Sequence, residues 1–229
     1  VGSVDAGVAL GQPGAISGDT AATFNGSGAA VTIAATGRLE LTTGVSVEAW
    51  VRPTAASQNG GIFEKTVGGW VNSQYMLMLE AGVAKFRVKT ASGQLLPVDG
   101  PVLALNTWTH LVGTFDGTTL RFYVNGTLYA SAAAQGPLLS GAGPAFIGKL
   151  GQNLYPFQGS IDEVAVFAGA LSSDRVRAHY LGGVITLRLV ATATATAGGV
   201  FRTTALAQAS EADPDASNNT LNLDSTIRQ

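Results

Sequence analysis

Residues 107–130, TWTHLVGTFDGTTLRFYVNGTLYA, decide the fold. Trp108, His110, Val112 and Thr114 share one side of the first run, and Thr109, Leu111, Gly113 and Phe115 share the other. After Asp116-Gly117, Leu120, Phe122 and Val124 alternate with Arg121, Tyr123 and Asn125. A period of two belongs to an extended strand. Asn125-Gly126 is the strongest short hairpin signal, because both turn residues must take positive φ. Asp116-Gly117 begins a slightly longer turn by the same logic. The segment is expected to be a three-stranded antiparallel meander.

The flanking sequence repeats this grammar. Val45, Val47, Ala49 and Val51 alternate with Ser46, Glu48, Trp50 and Arg52, and Pro53, which cannot donate a ladder hydrogen bond, ends the run. Residues 74–80 and 83–90 pair across Ala81-Gly82, with Ala84, Phe86 and Val88 facing one way and Lys85, Arg87 and Lys89 facing solvent. Shorter strands are expected at 8–10, on either side of a Gly-rich turn within 23–33, and at 62–65, 145–149 and 161–167. Residues 171–181 break the period. Ser172 or Ser173 caps a helix there, Asp174 suits its positive end, Val176 and Tyr180 lie four apart, and Gly182-Gly183 supply a stop.

Several pieces of this order resemble one family. The run TWTHLVGTFDGTTLRFYVNGTL is similar to the central signature of laminin-G-like, concanavalin A-like domains, the group that includes pentraxins. Phe24-Asn25-Gly26 resembles its early F-D-G strand, VSVEAWVRP at Val45–Pro53 its E-A-W strand, and GSIDEVAVF followed by LSSDRVRAHY its closing strand and helix. The resemblance covers roughly residues 23–181. It implies an all-β fold: an antiparallel jelly-roll β-sandwich with one short helix, here assigned to residues 1–183. Residues 184–229 form a C-terminal β-rich segment. Within it, TATAGGVFRTTALAQASEADPDASNNT resembles the last strands of Ig-like repeats of bacterial surface proteins, without the front strands. Three strands leave open edges that attract partners.

Composition narrows the function classes. The chain has 229 residues, formal net charge −2 and only 12% charged residues. Nucleic-acid binding needs a dense basic patch, which is lacking. No apolar run approaches the ~20 residues of a membrane span. Cysteine is absent, so disulfides and thiolate sites are excluded. The chain starts at Val1 and is read as a mature or excised segment of an extracellular or cell-surface protein, with a virion surface as another setting.

No catalytic constellation is found. Glycan-cleaving relatives of the fold place carboxylates at alternating strand positions, whereas Asp162 and Glu163 are adjacent and are expected on opposite faces. His110 is read as a structural histidine in the sheet and His179 as a surface residue. Trp50 and Trp108 are read as core. A glycan site needs aromatic platforms and amide hydrogen-bonders on convergent loops. Trp70, Asn72, Asn153 and Tyr155 supply these on two loops, the alternative for Trp70 and Tyr155 being that they cover the sandwich ends. The resemblance also implies a calcium site near the N-terminal hairpin and closing strand. Asp162 matches its aspartate, and Asn25 stands where the family has Asp. Two functions compete. One is a non-catalytic surface or structural protein whose tail strands complete a sheet in a neighbouring subunit, giving a homo-oligomer or filament. The other is a lectin-like module for a surface glycan, with calcium as a cofactor.

Overall fold

The computed structural model describes residues 2–35, 37–68, 73–151, 154–183, 200–206 and 220–226. The chain divides into two compact units, Val1–Ile185 and Thr186–Gln229. In chain order the first unit holds β1 (Gly2–Val4), β2 (Val8–Pro13), β3 (Thr20–Asn25), β4 (Val31–Ile33), β5 (Val45–Pro53), β6 (Gly60–Thr66) and β7 (Ser73–Glu80). Then follow β8 (Val83–Lys89), β9 (Leu95–Val102), β10 (Thr109–Phe115), β11 (Thr119–Val124), β12 (Thr127–Ala133), β13 (Ala145–Ile147), β14 (Gln158–Ala168) and the helix α1 (Ser173–Gly183).

These strands build two seven-stranded sheets. One has the order β1-β4-β13-β6-β7-β8-β9, the other β12-β11-β10-β5-β14-β3-β2. Every pairing is antiparallel. The meander is present as β10-β11-β12, with Leu111 opposite Val124 and Phe115 opposite Leu120. Asn125 and Gly126 take φ of 49° and 74°, as the hairpin turn demands. The fold is a β-sandwich of the jelly-roll type. The sequence did not reveal β1 or β9, whose mixed polarity hides the alternation.

The core lies between the sheets. Val47, Ala49, Leu111, Phe115, Leu120 and Phe122 from one sheet meet Phe63, Tyr75, Leu77, Leu79 and Phe86 from the other, all buried. Each large side chain removed from water stabilises the fold by roughly 1.5–3 kcal/mol. The layers approach most closely at Gly113, where a Cβ would lie 2.1 Å from Phe86 Cγ. Only glycine leaves room for that ring.

The outer face of the β10-containing sheet is covered by α1. Val176 is fully buried and packs on Val112 and Tyr123. Tyr180 stacks on Trp50 with ring centroids 5.6 Å apart. Ser172 caps the helix, its Oγ accepting the Arg175 N–H at 3.3 Å and its carbonyl the Val176 N–H at 3.0 Å. The helix continues through Gly182 and Gly183 rather than stopping before them. Trp50 is buried beneath this helix rather than inside the sandwich. Trp108 precedes β10, is half-buried, and carries the Arg52 guanidinium 5.3 Å above its ring. Neither tryptophan is part of the inter-sheet core. Among the described residues, no helix is long and apolar enough to cross a membrane.

In the second unit, β15 (Val200–Leu206) and β16 (Thr220–Thr226) form an antiparallel hairpin, with Val200 opposite Thr226 and Leu206 opposite Thr220. The strands expected from residues 184–190 and the Ala-Thr run lie outside the described residues.

Candidate functional site

Among the described residues, no helix covers the outer face of the other sheet. Along β7, Tyr75, Leu77 and Leu79 point into the core, so Met76 and Met78 project outward. They are nonetheless buried, because Leu150 packs on them as a separate cluster. Leu150 and Leu154 exchange two backbone hydrogen bonds of 2.8 and 2.9 Å, which hold these two leucines together beside the methionines. A groove of about 140 Å³ results. Its floor is Met76, Met78 and Leu150, and its rim is Leu154 and Tyr155, both exposed. Tyr155 adopts a positive φ of 50°, and its carbonyl accepts the Gly61 N–H at 2.8 Å. That bond ties the rim to β6.

Polar groups close the groove. Glu64 is only 3% exposed, and its carboxylate accepts the Ser73 hydroxyl and the Gly151 N–H. It therefore fastens the start of β7 and Gly151 to the same strand. Arg87 donates to Glu80 at 2.7 Å. Lys85 lies 3.3 Å from Glu80 and donates to Asp99 at 2.7 Å. The lysine–arginine row on β8 is thus cross-paired with carboxylates of β7 and β9. A second depression of about 150 Å³ shares Ser73 and Met76 with the groove and carries Lys89.

Of the residues expected to bind a glycan, Tyr155 lines the groove. Trp70, Asn72 and Asn153 lie outside the described residues. Sequence reasoning missed Glu64, Met76, Met78, Glu80 and Arg87. A signal existed for the methionines: Met76 and Met78 fill the two middle positions of the face of β7 opposite Tyr75, Leu77 and Leu79, where a solvated face would be polar.

A second cluster gathers Asp19, Asp162 and Glu163, whose carboxylate oxygens lie within 4.8 Å of one another. The expectation that Asp162 and Glu163 face opposite ways is overturned. The register between β14 and β5 breaks between Asp162 and Ala165, and Glu163 has φ of 47°. This bulge turns adjacent carboxylates to one side. Asp162 is buried and accepts the Ala15 N–H at 2.8 Å and the Glu163 N–H at 3.0 Å. A hydrogen bond with Asp19, then burial, then the negative charges of Asp19, Asp162 and Glu48 push the Glu163 carboxyl up to about 7. The same hydrogen bond holds Asp19 below its ordinary value. Asn25 is not brought to this cluster. It sits opposite Gln158, four residues along β14 from Asp162, or roughly 13 Å at strand rise. Its Oδ1 accepts the Ser27 N–H at 2.9 Å.

Beneath α1, Glu48 bridges two histidines. Its Oε1 lies 2.7 Å from His110 Nε2 and its Oε2 lies 2.8 Å from His179 Nδ1. Carboxylates only accept, so both ring nitrogens donate. His110 is fully buried in the sheet and acts as a packing and hydrogen-bonding element. His179 differs from its expected surface placement: it docks the helix onto Glu48. Burial raises the Glu48 pKa, but the hydrogen bonds and charges of His110 and His179 outweigh it and hold the carboxyl below its ordinary value.

Residues 25–177 match the family model described as the concanavalin A-like lectin/glucanases superfamily. No curated protein matches the sequence. Among solved structures, the binding domain of Paraclostridial Mosquitocidal Protein 1 is 14% identical with a TM-score of 0.65, over 80% of this chain and 47% of that one. Domain 4 of AbnA, a GH43 extracellular arabinanase from Geobacillus stearothermophilus in complex with arabinotriose, is 21% identical with a TM-score of 0.59, over 77% of this chain and 86% of that one. The botulinum neurotoxin serotype D ligand-binding domain in complex with N-acetylneuraminic acid is 15% identical with a TM-score of 0.60, over 79% of this chain and 46% of that one. This chain therefore spans less than half the length of the two toxin chains. At these identities the likeness to solved structures is one of fold. The match over residues 25–177, together with the two-sheet sandwich and its closing helix, makes the chain a member of the concanavalin A-like lectin/glucanases superfamily.

Proposed function

We propose that the first unit is a non-catalytic saccharide-binding module of an extracellular surface protein, and that the groove over Met76 and Met78 is its binding site. The observation that carries this is the groove's composition. An apolar floor, an exposed tyrosine at the rim and a few fixed hydrogen-bonding groups match what a sugar ring offers: a C–H face and a fringe of hydroxyls. Its volume suits one ring, and the depression beside it offers a place for the next ring of a chain. Membership of a lectin and glucanase superfamily supports the reading, as does a neighbour solved with arabinotriose. Affinity electrophoresis through gels containing soluble polysaccharides tests it. At least one polysaccharide should retard the chain, and Tyr155→Ala should weaken that retention roughly three- to tenfold, the usual weight of an aromatic contact. Retention by none, or equal retention of the variant, would sink the reading.

Calcium is proposed as a cofactor at the Asp19, Asp162 and Glu163 cluster. The donor set is all oxygen and strongly acidic, which is what a hard cation takes. An ion there would pin the 14–19 loop to β14.

A second reading concerns assembly. Within the described residues, β15 and β16 pair with each other alone. A two-stranded hairpin is marginal in water and leaves both edges unpaired. We propose that the hairpin, the end of an incomplete Ig-like repeat, adds to a sheet of a neighbouring subunit.

A further inference from the structure

We infer that the groove selects neutral saccharides and rejects anionic ones, an inference that rests on the groove being a saccharide site. Its lining carries two carboxylates, Glu64 and Glu80, and one cation, Arg87. That cation is committed: the guanidinium donates to Glu80 at 2.7 Å. Lys85, beside it on β8, is shared between Glu80 and Asp99. Lys89, in the adjoining depression, already has a partner. An anionic ring in the groove finds no uncommitted cation among these groups and faces the Glu64 carboxylate close to the floor.

Glu64 sharpens the discrimination. Its two oxygens have about four acceptor positions, of which two are filled by the Ser73 hydroxyl and the Gly151 N–H. The remaining capacity is acceptor-only, so it bonds a sugar hydroxyl and has nothing to offer a sugar carboxylate. The bonds to Ser73 and Gly151 prevent the carboxylate from swinging away. Glu80, partly exposed at the end of β7, adds a second carboxylate that accepts from a sugar hydroxyl and repels a sugar carboxylate. One uncompensated like charge about 8 Å away, at an effective dielectric constant of about 30, costs roughly tenfold in affinity.

The test is a glycan array carrying neutral backbones and their sialylated, sulfated or uronic counterparts, probed with the full chain at low and physiological salt. Hits should be confined to neutral glycans, with acidic counterparts at least about tenfold weaker. The neutral hits should be insensitive to salt, since no charge pair with the ligand is there to screen. Acidic glycans bound as well as neutral ones would overturn the selectivity and leave the groove standing as a saccharide site. An array with no hits at all would remove both. Glu80→Gln, at the partly exposed end of β7, gives an independent check because it releases Arg87. Its affinity for an acidic oligosaccharide such as sialyllactose should rise severalfold in a calorimetric titration. An unchanged acidic affinity would show that the committed arginine is not what excludes anions.

Discussion

At the residue scale, Glu48 shows how one side chain joins sheet and helix. It is 6% exposed, and among the described residues its side-chain partners are His110 from β10 and His179 from α1. Among the described residues His110 Nδ1 has no hydrogen-bond partner, so there the ring depends on Glu48 for its side-chain hydrogen bond. Glu48→Gln keeps the shape but can accept through one oxygen only, so it is expected to cost about 2 kcal/mol at neutral pH. The pH dependence follows from the depressed Glu48 pKa. A carboxylate bound more tightly in the folded state stabilises above its unfolded value of 4.5 and loses that contribution as pH falls through the lower folded value. Denaturant melts from pH 7 to pH 3 should therefore show wild type and variant converging below about pH 4.5. A gap that stays constant across that range would mean that the charge of Glu48 is not what holds the two histidines.

At the element scale, β14 carries the largest difference between sequence and structure. Its membership in a sheet was legible because Ile161 continues the apolar spacing and the following residues alternate. The bulge at Glu163 was not legible, because bulges are signalled by glycine or a break in pattern, and Asp-Glu-Val offers neither. With the bulge missed, Asp19 had no reason to be read as a partner of Asp162, and Asn25 took its place. The groove was hidden for a related reason. Tyr155 is visible as an aromatic on a polar loop, but Met76 and Met78 read as ordinary strand residues until Leu150 is seen packed on them. The bulge also yields a prediction for the proposed ion. Saturation at about a hundredfold over its dissociation constant would add roughly 2.7 kcal/mol. For a unit of this size that is a rise of about 5–10 °C in melting temperature. Calcium should produce this rise in differential scanning calorimetry, and Asp162→Asn should abolish it. No shift in wild type, or an equal shift in the variant, would remove calcium from the cluster.

At the scale of the whole molecule, the two outer faces of the sandwich serve different ends. The face bearing Glu48, Trp50 and Val112 is closed by α1, which uses its buried valine and stacked tyrosine to do so. The face bearing Met76 and Met78 carries Leu150 and, among the described residues, keeps a groove open. The first unit thus holds its own core cluster and still presents a groove. The hairpin of the second unit is in the opposite position: seven paired residues on each strand, and no third strand beside them among the described residues. Edge pairing with another chain supplies main-chain hydrogen bonds along its whole length. A contact of that kind that does not close on itself propagates. Sedimentation velocity of the 229-residue chain should therefore show association that grows with concentration, and a chain ending at Gly183 should remain monomeric with an unchanged melting temperature for the sandwich. If the full chain sediments as a monomer at every concentration, the hairpin is self-sufficient and strand addition is excluded. If the shortened chain still associates, the joint lies on the sandwich, and its exposed strand β12, with Leu128 and Tyr129 outward, becomes the edge to block with a charged substitution.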